Sequence, residues 1–155
     1  MCVGIALAAS EMPLELLRQP RVQGRLFARG GEPEVRFFFR DPERLLPIIH
    51  AGVLRLVRWG ARRSESTVLP PTGWTWLASV EGGQWGASEV EPVVIAATMG
   101  VEKGIWFRVR EGIRGLLVRD ERGVESAYML CEPASHYFQV MTRSERMPVL
   151  VSERI

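Results

Sequence analysis

Cys2 stands directly behind Met1, at the one end of the chain where a thiol and an α-amine can share a residue. A small second residue favours removal of the initiator methionine, and the mature chain then begins with a 1,2-aminothiol. Such a group is a reagent for aldehydes. The free α-amine titrates near ~7.7–8.0, so a neutral fraction exists at physiological pH to form an imine. The neighbouring thiolate then closes that imine into a thiazolidine. The plainer reading of the same residue is a small buried hydrophobe, and both readings stand at this point.

A second group of side chains suits phosphate and bases. Of the 20 basic residues only Lys103 is not arginine, and arginine carries the planar fork that matches phosphate oxygens. A GC-rich genome also produces arginine in excess, so position says more than number. Arg55, Arg58, Arg62 and Arg63 lie close to Trp59 in the sequence, a pattern of cations beside an aromatic ring that single-stranded nucleic acid uses for phosphate pairing and base stacking. Trp74, Trp76, Trp85 and Trp106 read as core or rim residues.

Bulk composition narrows the classes. A chain of 155 residues with 46% apolar content predicts a single domain over 1–155 with a real core. No run approaches 18 apolar residues, and no basic, apolar and small-residue succession marks a signal peptide, so a cytoplasmic protein with no membrane span is expected. Two cysteines, Cys2 and Cys131, are too few for a disulfide framework. With two histidines and no metal-ligand spacing, neither metal nor cofactor is expected.

The elements that must position these residues are mainly strands. Short runs of branched and aromatic residues between Gly, Pro and Asp signals predict strands over 3–8, 34–40, 52–59, 74–79, 93–98, 105–110, 115–119, 126–130, 136–141 and 148–152. Their spacing indicates an α+β, β-rich barrel or sandwich of short, mostly antiparallel strands with a few short helices. One helix is expected over 11–18, capped by Ser10 with Pro13 in its first turn, and a second over 42–48, limited by Pro47. The stretch 61–73 is long enough for a functional loop. Phe37, Phe38 and Phe39 read as a buried strand.

With these residues in place, the chain resembles the SOS response-associated peptidase (SRAP) family, which includes abasic-site processing proteins. The likeness rests on the Met1-Cys2 start, on Val57-Arg58-Trp59-Gly60, and on Arg146-Met147-Pro148-Val149 near the end, in the family's order and spacing. The resemblance implies a β-rich SRAP-like fold, single-stranded or abasic DNA as partner, peptidase-like release of Met1, and covalent capture of the abasic-site aldehyde by Cys2. With it, Arg58, Trp59 and Arg146 are expected to hold DNA, and the arginine cluster around Trp59 adds Arg62 and Arg63. The family glutamate maps nearest to Glu102, one position out of register, where it would shuttle a proton during imine formation.

Other family positions differ. Its Asn-Ala-Arg-x-Glu segment corresponds to Leu77-Ala78-Ser79-Val80-Glu81, and the chain contains no asparagine. Ser144 occupies the position of the family histidine, which leaves His136, on the expected strand 136–141, and His50 as the only imidazoles. An expected arginine after Met-Cys-Gly is also absent. The departures keep two outcomes open: a DNA–protein crosslinking protein of DNA-damage function, or a diverged module that binds nucleic acid or a protein partner without covalent chemistry. A thiol protease acting on other proteins is disfavoured, since Cys2 has no evident imidazole base.

Overall fold

The computed structural model describes residues 2–28, 30–86 and 89–155. Twelve strands run β1 Gly4–Ala8, β2 Leu26–Ala28, β3 Pro33–Phe38, β4 Leu45–His50, β5 Val53–Trp59, β6 Trp74–Trp76, β7 Val90–Ile95, β8 Met99–Glu102, β9 Ile105–Arg108, β10 Ile113–Arg119, β11 Glu125–Pro133 and β12 Arg146–Pro148. Four short helices accompany them: α1 Leu14–Leu17, α2 Pro20–Gln23, α3 Leu77–Glu81 and α4 His136–Thr142. The β-rich class and the barrel architecture expected from the sequence are both present.

Five strands close into a ring. β4 pairs antiparallel with β5 and β7, β7 with β10, and β10 with β11, and β11 returns to β5 through a short parallel contact at Ser126–Arg58 and Ala127–Trp59. Closure removes the open edges that a flat sheet of this size would expose. Alternation then fills the barrel with Leu46, Ile48, Val57, Ile95, Leu117 and Met129. β11 is buried on both sides, because Tyr128 and Leu130 on its outer face pack under Ala61 and Leu69 of the 61–73 loop.

Of the remaining seven strands, β6 and β12 pair with β11, and the other five form an antiparallel sheet in the order β2-β3-β1-β8-β9. Its inner face carries Ile5, Leu7, Val35 and Phe37, and these join the barrel interior in one apolar cluster. Hydrophobic burial across this junction is the main driving force holding sheet to barrel.

Several local expectations need correction. Residues 136–141 form a helix, because Ser135 caps it, accepting from the Phe138 amide at 3.1 Å, and the buried residues Phe138 and Thr142 recur at helical spacing. Residues 42–48 form no helix; the branched run around Ile48 is taken into β4 between two partners. The expected helix 11–18 splits at buried, extended Met12 into a 3₁₀ turn, Ala9–Glu11, and α1, with Pro13 and not Ser10 at the cap of α1. The strand expected over 74–79 stops at Trp76 and continues as α3, and that over 148–152 is displaced to β12, paired with Cys131–Pro133.

Candidate functional site

Cys2 leads into β1 on the inner side of the sheet. The chain is already paired there: the Val3 amide donates to the Val101 carbonyl at 3.0 Å, and the Phe39 amide to the Val3 carbonyl at 3.1 Å. The Cys2 thiol donates to the Gly4 carbonyl at 3.0 Å, and its own carbonyl accepts from Trp74 Nε1 at 2.9 Å. Gly100 makes the space beneath: a β-carbon there would stand 2.5 Å from Phe107 Cζ and 3.2 Å from the Cys2 sulfur. The residue is 1% exposed. Burial pushes its thiol up to about 12, with the charge of Glu102 adding to the shift. A thiol in this state is a poor nucleophile at neutral pH.

Glu102 ends β8 beside Cys2, and it too is buried. Desolvation raises its carboxyl above the ordinary range, opposed in part by the Lys103 charge. The structure therefore brings together the two residues that the sequence paired, a thiol and a carboxyl. Met1, whose removal the aminothiol chemistry requires, lies outside the described residues.

Three exposed cations lie on neighbouring segments, and the first of them, Lys103, acts directly on Glu102. The β8–β9 turn carries exposed Lys103, whose Nζ donates to the Arg143 carbonyl at 2.7 Å and so ties the turn to the end of α4. Arg143 holds a left-handed conformation with φ 59°, which turns the chain toward β12. Arg146 follows at the start of β12, exposed, with its guanidinium 4.5 Å above the Trp76 ring. Glu145 is an exposed carboxylate on the same segment. Ser144 is buried and donates to the Arg146 carbonyl at 3.0 Å, so its hydroxyl shapes the turn.

The other sequence candidates are placed elsewhere. Trp59 is 0% exposed: its indole faces the core, donates to the Gly73 carbonyl at 3.0 Å, and packs edge-on against Phe39 and Trp74 at 5.5 and 5.6 Å. It offers no ring to a base, because neighbours along a strand point to opposite faces and Trp59 takes the apolar one. Arg58 is held internally, donating to Ser126 Oγ at 2.7 Å and pairing with Asp120 at 3.2 Å. Burial alone would raise the Asp120 carboxyl, but the Val124 and Arg122 amides and the Arg58 guanidinium outweigh it and hold it below its ordinary value. Arg55 pairs with Glu125 at 2.7 Å. Of the group around Trp59, Arg62 and Arg63 are exposed, on the long loop.

His136 is exposed at the first turn of α4, at the opposite end of that helix from Arg143, and His50 is bound to Glu91 at 2.7 Å. The structure brings neither imidazole to Cys2. Lys103, Arg143 and Trp76 were not singled out from the sequence as binding residues; Lys103 had a signal, as the only lysine, while Arg143 and Trp76 had none. Among the described residues no cluster of three or more His, Cys, Asp or Glu could hold a metal ion, and no helix is long and apolar enough to cross a membrane. No family model, curated protein or solved structure matches the chain.

Proposed function

We propose that this chain is an SRAP-like module that binds single-stranded DNA non-covalently at the rim formed by Lys103, Arg143 and Arg146. The observation that carries this reading is the set of three exposed cations, Lys103 tied to the Arg143 carbonyl and Arg146 stacked on Trp76, on segments that adjoin buried Glu102 at Lys103. Exposed cations suit phosphates, and an arginine already stacked on an indole loses little freedom when a base or phosphate arrives. Covalent capture is poorly served by a thiol raised to about 12 with no imidazole beside it.

A second reading keeps the covalent chemistry of an abasic-site processing protein. It is favoured by one observation, the placement of the Glu102 carboxyl beside Cys2, where a proton donor would assist imine and thiazolidine formation after Met1 is removed.

One experiment separates the two. Protein freed of Met1 is mixed with single-stranded DNA bearing an abasic site and read both by anisotropy and on a denaturing gel. The expected result is a salt-sensitive complex with no denaturation-resistant adduct, and equal affinity for Cys2→Ala. Three phosphate contacts predict a slope of log K against log salt of about −2 on single strands. An adduct lost in Cys2→Ala establishes the covalent reading, and absence of any complex removes both.

A further inference from the structure

The outer face of the five-stranded sheet is built differently from its inner face. Register places Gly4 opposite Phe38 and Val101, and Ala6 opposite Arg36 and Met99, so the middle strand contributes only small side chains to this side. A β-carbon on Gly4 would lie 2.5 Å from Phe38 Cδ1, so the Phe38 ring rests on bare backbone. Around this shallow floor, Arg36 places its guanidinium 3.5 Å from the Phe27 ring centre and 4.7 Å from that of Trp106. Phe38 meets Trp106 edge-on at 6.3 Å, and Arg40 sits 4.6 Å over Phe38. Rings capped by guanidinium planes thus run across the sheet; Phe27 is 45% exposed, and Phe38 and Trp106 are half-buried.

Charge favours an anionic partner. Arg36, Arg40 and Arg108 stand on or beside this face against two carboxylates, Glu34, which pairs with Arg36 at 3.0 Å, and exposed Glu32 at the Arg108 end. The adjoining groove of about 510 Å³ is bordered by Phe27 and Phe38, and its own arginines, Arg21 and Arg25, are matched by Glu43 and Asp41. An acidic peptide would need the guanidinium edges alone. A row of rings and stacked guanidinium with arginines beside it fits bases and phosphates together.

We propose that this outer sheet face is a second binding surface, for single-stranded nucleic acid, separate from the rim of Lys103, Arg143 and Arg146. The two surfaces share no residue, and the proposal does not depend on the function assigned to the rim.

The test uses the full chain with undamaged dT20 and rU20 oligonucleotides and two surface double variants, Phe27→Ala/Arg40→Gln on the sheet and Arg143→Gln/Arg146→Gln on the rim. Thermal melting verifies that each variant is folded. The sheet variant is expected to bind about tenfold more weakly or worse, and photocrosslinks from 5-iodouracil oligonucleotides are expected at Phe27, Phe38 or Trp106. Tighter binding of dT20 assigns DNA as the ligand, and tighter binding of rU20 assigns RNA. Unchanged affinity of the sheet variant overturns the proposal, and if the rim variant alone loses binding, the rim reading stands without it. Loss in the sheet variant alone supports the proposal and removes the rim reading. Competition by a polyglutamate peptide as effective as the oligonucleotide also overturns it.

Discussion

At Cys2 the decisive quantity is the environment of one sulfur. The sequence places a thiol next to the terminal amine, but it cannot say whether the strand that follows will carry that sulfur outward or into hydrocarbon. Pairing of Val3 with Val101 and the space left by Gly100 decide for the interior. Native alkylation by iodoacetamide at pH 7.5 should therefore be far slower at Cys2 than in the urea-unfolded chain, as peptide mass spectrometry would show. The pH dependence has a definite sign. The unfolded thiol ionises from about pH 9, whereas the folded one keeps its proton to about 12, so the unfolded state releases its proton first. Stability should fall across that window by up to about 1.4 kcal/mol per pH unit. Urea midpoints of wild type and Cys2→Ala, compared at pH 7.5 and 10, would measure it, and the alanine variant should lose less between the two. For Glu102, raised by burial, the corresponding loss begins as pH rises through the ordinary glutamate range near 4.5, and Glu102→Gln should flatten the stability profile there.

Among the elements, the Arg58-Trp59-Gly60 segment shows how a binding-like pattern becomes architecture. Arg58 and Trp59 point to opposite faces of β5: one ties Ser126 and Asp120 to the strand, and the other closes the core. Gly60 has φ 63°, and a β-carbon there would stand 2.1 Å from the Thr72 carbonyl oxygen, so the start and end of the 61–73 loop can touch only across a glycine. Gly60→Ala should cost about 3 kcal/mol or more by chemical denaturation, while Arg62→Ala on the exposed loop should change stability by less than about 0.5 kcal/mol. The runs expected over 52–59 and 115–119 were legible as strands because branched residues and turn signals bound them, and they are found at 53–59 and 113–119. The run 136–141 was not, since Tyr137, Phe138 and Val140 have strand-like composition and only the Ser135 cap and the 138/142 spacing reveal the helix. Adjacency in sequence also exaggerated the arginine cluster, because a strand divides its neighbours between two faces. Cys2 and Glu102 could be singled out in the sequence; the cationic rim could not, because it gathers residues from β6, the β8–β9 turn, the end of α4 and β12.

For the whole molecule, the ring of β4, β5, β7, β10 and β11 explains why topology escaped a linear reading. Its closing contact joins residues 58–59 to 126–127, a separation that no local pattern encodes. Forming such distant pairings requires much chain entropy to be lost before the contacts form, so refolding followed by tryptophan fluorescence should take milliseconds to seconds. The β8–β9 hairpin is then fastened to the end of α4 by Lys103. Because that residue is the chain's only lysine, an endoproteinase specific for lysine has one place to cut. Fragment appearance during limited digestion should thus clock the detachment of this hairpin from its helix, turning an accident of composition into a built-in reporter of local breathing.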